Sequence, residues 1–397
     1  MAESTKKKIN SLFVHIIMAR MGNLRCVYMF VAFKRYRNLH IILERAQRPI
    51  PNAEYNLVCI FKAYLHPFDA MKSIFTLPFL LGFALVSCTN TTSETTESEK
   101  EEKEVELTAD TNSPVLMILG TIQDAGSPQI GCKKDCCKDL FTNPDPDRMV
   151  VSLGVSDGKG NNYLFEATPD LPRQFELLQK NGKKREKNTP DGIFLTHAHI
   201  GHYTGLMYLG KEAMDADQVA VYAMPKMSAF LSENGPWNLL VDRNNIELKG
   251  INEGEVVQLD EITVAPILVP HRDEYSETVG YRIEGPNKSA LFIPDIDKWT
   301  KWDQDIIDEV AKVDYAFLDA TFFSGEEINN RDISQIPHPF VIESLEAFKH
   351  LTASEKSKIH FIHFNHTNPI IDVNSDKAKQ VLKAGFKIAQ VNDCFNL

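Results

Sequence analysis

Three histidines fall within six residues at the end of an apolar run, Ile193-Phe194-Leu195-Thr196-His197-Ala198-His199-Ile200-Gly201-His202. Imidazole is the commonest protein ligand for zinc and related metals. The apolar residues before the cluster read as a buried strand that delivers it to a loop. His197 and His199 are two residues apart, so as continuations of a strand they point the same way. His202 stands where a helix can begin, ahead of Tyr203-Thr204-Gly205-Leu206-Met207. The competing explanation is a chance gathering of core and surface histidines. With only 12 histidines in 397 residues, so dense a cluster reads instead as a metal site.

The same pattern, an apolar strand ending in a metal-ligand residue, recurs downstream. It appears in Ile267-Leu268-Val269-Pro270-His271, in Ala290-Leu291-Phe292-Ile293-Pro294-Asp295, and in His360-Phe361-Ile362-His363-Phe364-Asn365-His366. Taken singly, Asp295 reads equally as a turn residue and His363 as a strand-end histidine. Their order and repeated placement argue against coincidence.

Thr196-His197-Ala198-His199-Ile200-Gly201-His202 resembles the HxHxDH signature of the metallo-β-lactamase superfamily, with Gly201 where that family usually has Asp. The resemblance runs from about Pro114 to the C-terminus. It implies an α/β fold, an αββα sandwich of two mixed sheets with outer helices and metals at one edge. It also implies roles: His197, His199 and His271 around a first metal, His202 and His363 around a second, and Asp295 bridging the two. The absent motif Asp predicts a weak or missing second metal, which Gly201→Asp would rebuild unless the glycine serves a positive φ or the close approach of substrate.

A glycine-containing loop, Gly120-Thr121-Ile122-Gln123-Asp124-Ala125-Gly126-Ser127-Pro128-Gln129, leads to Gly131-Cys132-Lys133-Lys134-Asp135-Cys136-Cys137. With Phe165-Glu166-Ala167-Thr168-Pro169-Asp170-Leu171 and the His363-to-Ile370 segment, it resembles the branch holding the pyrroloquinoline-quinone biosynthesis B proteins and the cyclic-phosphate phosphodiesterases of phosphonate breakdown. That likeness implies a structural zinc on Cys132, Cys136, Cys137 and His366, a standard closed tetrahedral set. In an oxidising compartment the alternative is a disulfide among Cys132, Cys136, Cys137 and Cys394. His338, in Gln335-Ile336-Pro337-His338-Pro339, matches a histidine that related hydrolases place beside the leaving group as a proton donor; a turn histidine flanking a helix is the other reading. His350 and His360 have no motif support and read as surface or structural.

The formal charge of −11 conceals two unlike parts. Residues 1–70 hold 11 Lys/Arg against 4 Asp/Glu, which leaves −18 on the remainder. So acidic a body does not suit nucleic-acid binding, which relies on Lys and Arg neutralising phosphates. Met71-Lys72-Ser73 followed by an apolar segment and Leu85-Val86-Ser87-Cys88 resembles a bacterial lipoprotein signal, residues 71–87, cleaved to leave a lipid on Cys88. The apolar segment is short for a span of about 20 residues. On that reading residues 1–70 are an upstream extension from a miscalled start, and the protein is lipid-anchored in the bacterial cell envelope; the alternative is a genuine N-terminal segment with a membrane anchor. Residues 88–112, acidic and free of aromatics, read as a flexible tether. Residues 113–397 suit one large catalytic domain.

Within that domain, strands are predicted at 115–119, 150–155, 163–166, 193–196, 219–223, 262–269, 279–283, 291–293, 315–318 and 359–364. Helices are predicted at 171–179, 306–313, 341–350 and 376–383. The resemblance implies hydrolysis by a metal-bound hydroxide of a small-molecule phosphodiester, cyclic ones included, or of another ester. One or two active-site metals are expected, zinc foremost with manganese or iron as alternatives, plus the structural zinc. The competing functions are a metal-dependent oxidative enzyme like the quinone-biosynthesis relatives and a non-catalytic metal-binding lipoprotein.

Overall fold

Strand β3 (Val115–Gly120) is apolar on both faces, and this is what a strand inside a layered sandwich requires. Leu116 and Ile118 point into the core between two sheets, while Met117 and Leu119 pack outward beneath a helix. A computed structural model describes residues 13–21, 24–32 and 113–397 except 184, 273 and 330. The chain divides into two units, 1–100 and 101–397. In the first, β1 (Phe13–Met21) pairs antiparallel with β2 (Leu24–Ala32), in a stretch where the sequence reading assigns no element. The lipoprotein signal, Cys88 and the tether lie outside the described residues.

The second unit holds two seven-stranded sheets built to one plan. The first contains β3, β4 (Ser152–Ser156), β5 (Asn162–Phe165), β6 (Gly192–Phe194), β7 (Val219–Ala223), β8 (Ile246–Gly250) and, beyond β3, β16 (Cys394–Asn396). The second contains β9 (Val257–Gln258), β10 (Thr263–Leu268), β11 (Val279–Glu284), β12 (Ser289–Ile293), β13 (Tyr315–Asp319), β14 (Ile359–Ile362) and β15 (Lys387–Ile388). In the first sheet the ladders from β16 to β5 are antiparallel and those from β5 to β8 parallel. In the second, the ladders from β9 to β12 are antiparallel and those from β12 to β15 parallel. This is the expected αββα sandwich.

Phe165, Phe194, Tyr281, Phe292 and Phe317, all fully buried, fill the space between the sheets. Each such side chain contributes about 2–3 kcal/mol by its removal from water. Helix α1 (Leu171–Asn181) covers the first sheet with Leu171, Phe175 and Leu178, spaced three or four apart on one face. The second sheet is covered through Ile306, Val310, Val341, Ala378 and Val381, from the helices Ile306–Ala311, Val341–Ala347 and Asp376–Lys383. Helix Asp376–Lys383 has the predicted bounds, while the helices expected at 306–313 and 341–350 end short.

Strands β8, β9, β15 and β16 and helix Pro225–Glu233 go beyond the elements expected from the sequence. These strands are edge or near-edge elements of two to five residues, too short or too polar for a period to show. The strands expected at 163–166 and 359–364 stop early because Glu166 (φ 87°) and His363 (φ 66°) take the left-handed conformation.

His360, on β14, is buried between the rings of Phe317 (5.3 Å) and Phe395 (5.0 Å), with Nδ1 lacking a partner; His350 is exposed. Burial, then the charge of Lys387, pulls His360 down to about 4 from 6.5. Unfolding therefore takes up a proton between those values, and stability falls as pH drops from 6.5 toward 4. His360→Phe should reduce the stability lost between pH 7 and pH 5 by about 2 kcal/mol, compared with wild type by denaturant unfolding at both pH values. Identical pH dependence in the two proteins would refute this role.

Candidate metal centre

The C-terminal ends of parallel strands from both sheets meet at one edge, the usual location of sites in sheets of this kind. From the first sheet, β5 leads into Glu166 and β6 leads through Leu195 and Thr196 into His197, His199 and the short helix α2 (Ile200–Tyr203) carrying His202. From the second, β10 leads to His271, β12 to Asp295, β13 ends on Asp319, and β14 is followed by His363. Two hydrogen bonds clasp the sheets just ahead of the histidines. The Tyr281 hydroxyl donates to the Leu195 carbonyl (2.5 Å), and the Val279 amide donates to that of Thr196 (3.1 Å).

Asp295, 2% exposed, lies at the centre. One or other carboxylate oxygen lies 3.5 Å from His197 Nε2, 3.9 Å from His199 Nδ1, 3.8 Å from His202 Nε2, 3.2 Å from His271 Nε2 and 3.9 Å from His363 Nε2. Most of these distances are long for hydrogen bonds. They are near the roughly 3.4 Å that separates two ligands of one tetrahedral metal bound at about 2.1 Å. The Nε2 atoms of His197, His202, His271 and His363 and Oδ1 of Asp295 are buried without a hydrogen-bond partner. Orphaned buried nitrogens are costly in a protein interior, and lone pairs converging on one carboxylate fit divalent metals. The ligand atoms of His197, His199, His271 and Asp295 form one such group.

The opposite ring nitrogens of His197, His202 and His363 are held. The Thr196 hydroxyl donates its single proton to Glu166, so at the other contact, 2.8 Å from His197 Nδ1, it accepts. His202 Nδ1 lies 3.2 Å from the same Glu166 carboxylate. In the second half, Thr321 Oγ1 donates to Asp319 (2.7 Å) and accepts from His363 Nδ1 (2.8 Å). Each carboxylate–threonine–histidine chain fixes the tautomer that turns Nε2 toward the cavity. Burial, then neighbouring His202, keeps His197 well below the usual imidazole range, in the neutral form a metal requires. Burial would raise the Asp295 carboxyl, but His271, His338 and His363 outweigh it and hold Asp295 well below the usual carboxylate range.

His338 joins this group. Its Nδ1 lies 2.9 Å from Asp319 Oδ2, 3.2 Å from Asp295 Oδ1 and 3.1 Å from the Thr321 hydroxyl. Its ring centre is 5.5 Å from that of His271 and 6.0 Å from that of His363. Burial pulls its pKa down, but Asp319 and Asp295 more than offset this and push it to about 10.

The position of Gly201 corrects one expectation. A Cβ built there would lie 2.4 Å from Asp124 Cβ, 2.6 Å from the Asp124 carbonyl oxygen and 2.7 Å from its Cα. Gly201 sits in α2 with an ordinary φ, so neither backbone strain nor substrate explains it, and Gly201→Asp cannot rebuild a ligand in space already filled. The ligand atoms of Asp124, His202 and His363 lie within 4.8 Å of one another. Asp124, Asp319, Glu166 and Thr321 had no part in the site read from sequence. Asp319 was accessible to that reading, since Tyr315-Ala316-Phe317-Leu318-Asp319 repeats the pattern of an apolar strand ending in an acid.

Cys132, Cys136, Cys137 and His366 come together beyond this edge. Cys132 Sγ is 3.9 Å from Cys136 Sγ, and His366 Nδ1 is 3.5 Å from Cys136 Sγ and 3.2 Å from Cys137 Sγ. A tetrahedral zinc with bonds of about 2.3 Å to sulfur sets neighbouring sulfurs near 3.8 Å. Cys132, Cys136, Cys137 and Cys394 are free thiols, and Cys394 stands apart on β16. Burial and the adjacent thiols push Cys136 up to about 12, a value that a coordinated cation would invert.

A cleft of about 440 Å³ beside His271 is lined by Lys226, Lys301 and Trp302, a size suited to a small molecule. A larger cavity of about 560 Å³, between α1 and Thr204–Leu209, contains no histidine and is remote from the donor sets in its lining.

Residues 161–361, just over half of the chain, match a family model described as a beta-lactamase superfamily domain. The chain is 24% identical over 310 residues to coenzyme PQQ synthesis protein B of Nitrosococcus oceani, covering 69% of this chain and 97% of that protein. To its counterpart in Gluconobacter oxydans it is 27% identical over 304 residues, covering 71% and 98%. Zinc-bound PqqB from Methylobacterium extorquens superposes with a TM-score of 0.59 at 21% identity, over 71% of this chain and 100% of that one. A diphosphatase of the PhnP family superposes with a TM-score of 0.52 at 23% identity, over 72% and 97%. At these identities the two structures establish the fold.

If the cysteine cluster holds a metal independently of the histidine centre, Cys136→Ser should remove about one equivalent. It should also lower the melting temperature by ~5–10 °C while leaving the other metals bound. Elemental analysis with thermal melting of both proteins checks this; unchanged metal content would refute it.

Proposed function

Because the chain belongs to the beta-lactamase superfamily, we propose that it is a metal-dependent hydrolase of small-molecule phosphodiesters or related esters. The observation that carries this reading is the convergence of His197, His199, His202, His271, His338 and His363 within 4 Å of one buried carboxylate, Asp295. His197, His199 and His271 would hold one divalent metal, His202 and His363 a second, with Asp295 between them. Metals held there supply Lewis acidity and bring the proton loss of water to near-neutral pH. The protein groups do the rest. Glu166, Thr196, Asp319 and Thr321 keep the imidazoles aimed inward, and Asp295 sets the separation of the two donor sets. His338, braced by Asp319 at 2.9 Å, stands where it would supply the proton that a departing alkoxide needs.

Likeness to the PhnP-family diphosphatase supports a phosphate-bearing substrate. The acidic domain argues against nucleic acid. Similarity to the PQQ synthesis B proteins over nearly their whole length supports a second reading, metal-dependent oxidation. Zinc or manganese in the purified protein favours hydrolysis, whereas redox-active iron with oxygen consumption favours oxidation. Zinc is the reading for the cysteine set, where three thiolates and one imidazole suit that metal.

The hydrolase reading is tested with aryl and alkyl phosphodiesters and carboxylic esters on metal-loaded protein. His338→Gln should lower kcat by ~10²–10⁴-fold on alkyl leaving groups, which need a proton, and far less on nitrophenyl esters, which do not. Equal losses on both would remove His338 from the acid role, and no turnover of any ester by wild type would remove the reading itself.

We further infer attachment to the bacterial cell envelope through a lipid on Cys88, supported by Leu85-Val86-Ser87-Cys88 after a basic start and an apolar segment. Expressed from Met71, Cys88→Ala should move the protein from the membrane to the soluble fraction. Unchanged partitioning would defeat that assignment.

A further inference from the structure

Read from the histidine motif alone, the second donor set lacks a carboxylate of its own. His202 and His363 turn buried, unpartnered Nε2 atoms into the cavity, 3.8 and 3.9 Å from the shared Asp295 oxygen. The first set has three histidines around that carboxylate, and the second has two. Asp124 stands beside those two, a carboxylate oxygen within 4.8 Å of a ring nitrogen of each.

The backbone builds this position. Ile122 forms parallel bridges to both Val150 and Phe364. The Gln123 amide donates to the Phe364 carbonyl (2.8 Å), and the Phe364 amide donates to the Thr121 carbonyl (2.8 Å). Asp124 and His363, far apart in the chain, therefore project from two segments joined by a short ladder. On the other side, the Asp124 backbone and Cβ press against Gly201 so closely that no side chain fits there. The missing motif side chain and the presence of Asp124 are one feature.

We propose that Asp124 is the carboxylate ligand of the second active-site metal, having taken over that role from the histidine motif, and that Gly201 is required because it makes room for Asp124. The donor set is then Asp124, His202, His363 and the shared Asp295, two imidazoles and two carboxylates, which suits zinc or manganese. The second site is complete, not weakened, in a chain whose motif has lost its acid. The assignment rests on the reading of the cavity as a two-metal centre, and it does not depend on which reaction the centre performs.

Metal-free protein titrated with zinc, and separately with manganese, tests the assignment by binding stoichiometry and affinity. Asp124→Asn keeps the shape and removes the charge. It should bind about one equivalent fewer at limiting metal, with at least ~10-fold weaker affinity for that equivalent, while the three-histidine and cysteine sites fill as in wild type. Gly201→Ala alters no ligand, yet its Cβ displaces Asp124, so it should lose the same equivalent. Gly201→Asp should gain none. Filling of the cysteine site and the melting temperature of metal-free protein report whether each variant is folded. If Asp124→Asn binds as wild type does, or if Gly201→Asp gains an equivalent, the assignment to Asp124 is overturned while the two-metal centre stands. If folded wild-type protein binds nothing beyond the cysteine-held metal, the centre and the assignment fall together.

Discussion

Asp295 is the constraint on which the site depends. A carboxylate at 2% exposure is costly unless cations or hydrogen bonds surround it. Its neighbours are imidazoles from both sheets: His197, His199 and His202 from the first, His271, His338 and His363 from the second. None of these groups can complete the environment of Asp295 until the two sheets are face to face. The clasp from Tyr281 to Leu195 and the aromatic core behind it therefore hold the site as well as the fold.

The two halves solve the same problem alike. After β5, Glu166 takes a positive φ and anchors Thr196, His197 and His202; at the end of β13, Asp319 anchors Thr321, His338 and His363, and His363 itself takes a positive φ. A non-glycine residue in that conformation costs about 1–3 kcal/mol and persists only where its surroundings over-determine it. Here buried carboxylates and threonines do so. The sequence offers no internal repeat, yet ladder order and site supports repeat between the sheets.

Much of this was legible in the chain. Strands buried on both faces announce themselves as apolar runs, and the clustered residues His197, His271, Asp295 and His363 could be read as their endpoints. Four edge strands escaped, because elements such as Val257–Gln258 and Lys387–Ile388 are too short to have a period. Positive φ at Glu166 and His363 escaped because tertiary contacts impose it on residues whose own preference is extended. Asp124 escaped for a different reason. Its place is set by Ile122 and Gln123 bonding to Phe364, a pairing without local signature, and the only trace in the motif is a glycine where an acid is usual.

The cysteine cluster has a consequence for the unfolded chain. Cys136 and Cys137 lie 230 and 229 residues from His366, so an ion gripping both ends turns nearly the whole domain into a closed ring. By the loop-entropy argument used for covalent cross-links, a ring of that size costs the denatured ensemble freedom worth about 5 kcal/mol. That is comparable to the net stability of many domains. The ion would thus act less as a local brace than as a global fastener, and a chelator or thiol oxidant at that spot would loosen every strand at once, including those that never approach it.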